Sequence, residues 1–90
     1  MTVINMDPTQ AISCGEQITK CADVFDENVE KIYDIVDSLH NNWTGNAAQR
    51  FTENVESYKE DYMKFAKLIR DFGNLLTAIG KDYRDLEDHL

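Results

Sequence analysis

Ninety residues with nine lysines and arginines against seventeen aspartates and glutamates carry a formal net charge of −8. Such a chain lacks the basic footprint that nucleic acid requires, and anionic membranes do not attract it. No run of about 18 apolar residues occurs, so no stable membrane insertion is expected. A single domain this small buries only about 60–65% of its unfolded surface, so its core needs a disulfide, a metal or a second chain.

The first residues, Met1-Thr2-Val3-Ile4-Asn5-Met6, show neither a basic region nor a long apolar core, so no classical export signal is expected there. Asp7-Pro8-Thr9-Gln10 reads as a helix start. Asp7 accepts from the first free amides, Pro8 suits the first helical position, and Gln10 completes a capping box. A first helix is expected over about 8–40. Its apolar residues Ile18, Ala22, Phe25, Val29, Ile32, Val36 and Leu39 recur in alternating steps of four and three, and Ala11 and Gly15 extend the seam backward. Glu16, Asp23, Glu27, Glu30, Asp34 and Asp37 make an acidic stripe that reads as a solvated face. Cys14 and Cys21 lie seven apart on this helix, about 10.5 Å between Cα atoms. That is beyond the roughly 7 Å reach of a disulfide. The spacing does not suit a metal either, so both read as structural thiols.

A turn is expected over 41–46. Asn41 and Asn42 tolerate a left-handed helix end, Gly45 serves the turn for the same reason, and Asn46 caps the next helix. Trp43-Thr44-Gly45 sits here, between two long periodic stretches. The second helix, about 47–88, has the cleaner pattern. Ala48, Phe51, Val55, Tyr58, Tyr62, Phe65, Ile69, Phe72, Leu76, Ile79, Tyr83, Leu86 and Leu90 alternate steps of three and four without a break. Beside this seam Ala66, Gly73 and Gly80 form a row of small residues spaced by seven. Each glycine inside a helix costs about 1 kcal/mol against alanine, and tight helix approach is the compensation.

These elements predict an all-α fold, a single antiparallel helical hairpin over residues 1–90. Folded about residues 43–44, position 8 falls opposite roughly position 79, so the second helix outruns the first while its apolar stripe continues. A hairpin with so wide an apolar face is half of a four-helix bundle. If two hairpins pair antiparallel, the tail of one, with Tyr83 and Glu87, lies beside Trp43 of the other.

At this point the chain resembles the WXG-motif proteins, ESAT-like helical hairpins of about a hundred residues exported by type VII secretion systems of Gram-positive bacteria and mycobacteria. The resemblance rests on the length, on Trp43-Thr44-Gly45 at the centre, on Phe51 just after it, and on the Tyr-x-x-x-Glu tail. It implies a homo- or heterodimer, assembled in the cytoplasm and then secreted or displayed at the cell surface, folded and without a cleaved signal. It implies that Tyr83 and Glu87, with Trp43 from the partner, form a recognition element for the secretion ATPase, and Leu90 matches the apolar place three beyond the acid. A function of another class suits the same apolar face, that of a cytosolic chaperone covering the helical export domain of a larger type VII toxin. A third reading is a structural coiled coil unrelated to secretion.

No Ser-His-Asp order, Gly-rich phosphate loop or metal-ligand spacing is visible, and His40 and His89 are far apart in sequence. The chain reads as a non-enzyme with no cofactor and no metal.

Overall fold

The computed structural model describes residues 7–39 and 41–88. They form α1 (Pro8–Leu39) and α2 (Asn46–Asp88), joined by a short turn and laid antiparallel in a rod of 68 × 23 × 18 Å. The expected tail position Leu90 lies outside the described residues, as do His40 and His89. The radius of gyration is 20.3 Å, against about 12 Å for a compact chain of this length. A rod this thin has almost no interior.

Asp7 caps α1. Its side-chain Oδ1 accepts from the amides of Thr9 at 3.0 Å and Gln10 at 3.4 Å, and its carbonyl accepts from Ala11 at 2.9 Å. Pro8 therefore occupies the first helical position, where its missing N–H costs nothing. The helix ends by tightening. The amides of Asn41 and Asn42 donate three residues back, to the Ser38 carbonyl at 3.3 Å and the Leu39 carbonyl at 3.0 Å. Neither asparagine is left-handed, contrary to expectation; among the described residues only Gly45 has a positive φ, +109°. The Gly45 carbonyl accepts from the Gln49 amide at 3.0 Å, so Gly45 and not Asn46 holds the cap position of α2. A φ of +109° is open to glycine alone, and it reverses the chain one residue earlier than an asparagine cap allows.

Small residues make the contact between the helices. Ala11, Gly15, Ala22 and Tyr33 are the buried residues of α1, and Ala48, Ala66, Gly73 and Gly80 those of α2. A Cβ on Gly73 would stand 2.8 Å from the Gly15 carbonyl oxygen, and one on Gly80 3.1 Å from the Pro8 carbonyl oxygen. The two backbones therefore touch, which offsets the poor helix propensity of glycine. Toward the turn an aromatic ring replaces the glycines. Tyr33 is 6% exposed. Its hydroxyl donates to the Val55 carbonyl at 2.6 Å, its ring meets Tyr62 edge-on at 6.4 Å, and Lys59 Nζ lies 5.1 Å from its centre.

The apolar seam read from the sequence runs beside this contact line. Ala22 is buried, and Ile18, Phe25, Val29, Val36, Val55, Ile69 and Leu76 are half-buried. Ile32, Leu39, Phe51, Tyr58, Tyr62, Phe65, Phe72 and Ile79 are exposed in the single hairpin, Phe65 at 52% and Phe72 at 62%. The reason is angular. At about 100° per residue, Phe65 and Phe72 stand roughly a quarter-turn from the line through Ala66, Gly73 and Gly80. The small residues face α1, and the large ones face outward.

Candidate functional site: an open apolar face between two marked ends

Both helices turn their large apolar residues to the same side. The ring of Phe25 on α1 lies 5.4 Å from that of Phe65 and 6.3 Å from that of Tyr62 on α2, between ring centres. Phe51, Tyr58, Phe72 and Ile79 continue this face along α2, and Ile32 and Leu39 continue it along α1, all exposed. The solvent-accessible surface is 7169 Å², against about 5400 Å² for a compact monomer of this mass. That excess comes from the thin rod shape, but a continuous row of large exposed apolar side chains along it marks an interaction site.

The opposite side is polar. The Arg70 guanidinium donates to Asp23 Oδ1 at 2.7 Å and to Asp26 Oδ2 at 2.9 Å, tying α2 to α1. Those two bonds, Asp23 first, hold Arg70 more firmly charged than usual. Burial, and then the charges of Glu56 and Tyr62, push the Tyr33 hydroxyl above its ordinary 10.0. At neutral pH it is therefore a donor to Val55.

Trp43 lies at the turn end of the rod, 38% exposed, its ring 5.7 Å from that of Phe51. The chain reversal at Gly45 carries it there, and with Ala48 and Gln49 it lines a groove of about 350 Å³. Tyr83 and Glu87 lie near the other end, one helical turn apart on α2 and both exposed. Gly80 faces Pro8, Ala11 and Ile12, so residues 81–88 run on past the first turn of α1. Within one chain, then, Trp43 and the Tyr83–Glu87 pair sit at opposite ends of a 68 Å rod and do not meet. Cys14 and Cys21 are both free, Cys14 half-buried and Cys21 exposed.

Two contributors were not legible in the apolar pattern. Tyr33 stands beside the seam residue Ile32, yet Ala11, Ala22 and Tyr33 are eleven apart, and an eleven-residue spacing keeps one straight face of a helix. Arg70 looks like any surface cation until the register of the hairpin places it opposite Asp23 and Asp26. Among the described residues no group of three or more His, Cys, Asp or Glu side chains is placed to hold a metal. No helix among them is long and apolar enough to cross a membrane.

This architecture is shared with solved structures of a secreted protein, EsxB, from Bacillus anthracis strain Sterne. The selenomethionine-labelled form is 15% identical with a TM-score of 0.83, covering 97% of this chain and 99% of that one. The wild-type form is 15% identical with a TM-score of 0.80, covering 93% and 97%. No curated protein sequence matches. The family described as WXG100, proteins of 100 residues with WXG, matches residues 3–88. The central Trp43-Thr44-Gly45 turn, the two-helix hairpin and that match over nearly the whole chain together establish that this protein belongs to the WXG100 family.

Proposed function

We propose that this chain is a small dimeric substrate or adaptor of a type VII secretion system, assembled in the cytoplasm and exported folded without a cleaved signal. The observation that carries the reading is the open apolar face, with Trp43 at one end of the rod and Tyr83 and Glu87 at the other. A second hairpin laid antiparallel on that face covers it and completes a four-helix bundle. The same pairing brings Trp43 of one chain to Tyr83 and Glu87 of the other, at each end of the bundle. A secretion ATPase then reads an element that exists only in the assembled, folded dimer, and Leu90 extends it. The similar fold belongs to a protein described as secreted, which favours export for this chain. The role is one of binding and needs no catalytic group.

The test is export. Tyr83→Ala and Glu87→Ala should each remove the protein from culture supernatant while it persists in the lysate, with helix content by circular dichroism close to wild type. Trp43→Ala should give the same export defect with some loss of stability, because the indole also packs on Phe51. Secretion of all three variants at the wild-type level would contradict the reading. It would favour a chaperone role, in which the apolar face covers the helical domain of a larger toxin and the signal is carried by that partner.

A further inference from the structure

The charges of α1 are sorted to one side. Its nine charged residues, seven acids and two lysines between Glu16 and Asp37, all fall within one half of the helix at about 100° per residue. Between Asp26 and Asp37 the acids also form one wall of a groove of about 350 Å³ between the helices. The Tyr33 ring lies in this groove, fixed by the bond from its hydroxyl to the Val55 carbonyl and edge-on to Tyr62. Lys59 and Met63 of α2 form the other wall. Met63 stands roughly a fifth of a turn from the line through Ala66 and Gly73, on the side away from Phe65 and Phe72. The groove therefore opens away from the apolar face. Met63 is nevertheless 65% exposed there, a large apolar side chain among charges.

A cation already uses this groove. Lys59 Nζ sits over the Tyr33 ring, 5.1 Å from its centre. Positive charge is otherwise short. Arg70 is committed to Asp23 and Asp26. Among the described residues no ion pair engages Glu30, Asp34 or Asp37, which leaves these three carboxylates to the one ammonium group of Lys59. Asp26, Glu30 and Asp34 follow one another at intervals of four, and Asp37 stands three further on. Like charges at that spacing weaken a helix, and a bound cation removes the repulsion.

We propose that this groove docks a basic segment of another protein, a short extended stretch that lays arginine or lysine side chains along the carboxylate row and over the Tyr33 ring. Charge complementarity selects the sign of the partner, and the ring selects a cation that can lose part of its water. The row from Asp26 to Asp37 is about 16 Å long, the reach of roughly four to five extended residues. Arginine suits it best, because a planar guanidinium stacks on an aromatic face and pairs with both oxygens of a carboxylate. The flexible Met63 side chain covers the apolar stem of such a residue. In the free chain Lys59 holds the seat, and it yields to the incoming cation by turning into solvent. The inference uses neither the apolar face nor Trp43, Tyr83 or Glu87, so it stands apart from the export reading.

Titration of the isotope-labelled chain with a blocked tetra-arginine peptide at low ionic strength, followed by amide chemical shifts, tests this directly. The shifts should concentrate at residues 26–37 and 59–63. Glu30→Gln combined with Asp34→Asn should weaken binding about three- to tenfold. Asp82→Asn combined with Asp88→Asn removes the same charge near the tail and should weaken it less than about twofold. Lys59→Ala vacates the seat and should tighten binding about two- to fivefold, whereas Lys81→Ala, the same change in charge, should leave it nearly unchanged. Shifts spread evenly over all the acids, or equal losses from the two neutralised pairs, would overturn the proposal, because the chain would then be reading net charge alone. A Lys59→Ala variant that binds no more tightly than Lys81→Ala would overturn it as well. So would spermine, which carries the same charge as the peptide, binding as tightly as tetra-arginine; the groove would then belong to a small polyamine.

Discussion

Gly15 and Gly73 meet backbone to backbone. A Cβ on Gly15 would lie 2.7 Å from the Gly73 carbonyl oxygen, and one on Gly73 would lie 2.8 Å from the Gly15 carbonyl oxygen. Elsewhere in a helix, glycine to alanine gains about 1 kcal/mol. Here the backbones must separate to admit a methyl group, and overpacking of this kind costs about 1–3 kcal/mol. Gly15→Ala and Gly73→Ala should therefore each lower the melting temperature, against the propensity gain. Thermal melts followed by circular dichroism check the sign; a rise in either variant would show that the helices have room to part.

Gly45 isolates a different cause. Nothing lies within 4 Å of a Cβ built there, but its φ is +109°. Gly45→Ala thus meets no neighbour and pays only in backbone strain, of order 1–3 kcal/mol. The expected result is a lower melting temperature with unchanged helix content. An unchanged melting temperature would mean that the turn relaxes to a conformation open to other residues.

Tyr33→Phe removes the hydroxyl that donates to the Val55 carbonyl and keeps the ring against Tyr62. The variant should melt lower than wild type at pH 7. The Tyr33 pKa is raised above 10.0 in the folded state, so its contribution is complete below that value. It is lost as the pH climbs through the higher folded value, where the hydroxyl ionises and cannot donate. The gap between the two proteins should therefore close above about pH 10. Parallel melts at pH 7 and pH 11 measure it, and a constant gap would assign the effect to packing.

Phe72→Asp and Glu30→Lys separate the two sides of the rod. Phe72 is exposed in the hairpin; on the proposed dimer reading a second chain covers its face, and an unpaired carboxylate there would cost several kcal/mol. Glu30 lies on the charged half of α1, where such changes stay within about 0.5 kcal/mol. Size-exclusion chromatography should show Phe72→Asp shifted to the smaller species and Glu30→Lys unchanged. Equal elution of the two variants would place the interface elsewhere.

The hairpin was legible because its two periodic stretches flank a single turn, with Asp7-Pro8 opening the first and Gly45 preceding the second. The row Ala66-Gly73-Gly80 also announced a close approach, and Gly73 and Gly80 make it against Gly15 and Pro8. The larger apolar seam does not make that contact. The three-and-four rhythm through Ile32 and Phe72 marks a face at right angles to the contact, while the contact itself is written in small residues whose apolar signal is weak. Tyr33 escaped because its neighbour Ile32 fitted the rhythm. Residue preference points to Asn46 as the cap, but the Gly45 carbonyl accepts the first helical bond of α2, so the glycine that reverses the chain also takes the cap position. For Trp43, Tyr83 and Glu87 the motifs were visible, and the rod explains why one chain cannot bring them together.

The central claim is that this hairpin is half of an assembly, and sedimentation equilibrium of the purified chain tests it most directly. The account predicts a species of twice the chain mass of 10.4 kDa at micromolar concentration. A single 10.4 kDa species that still melts cooperatively at that concentration would contradict it.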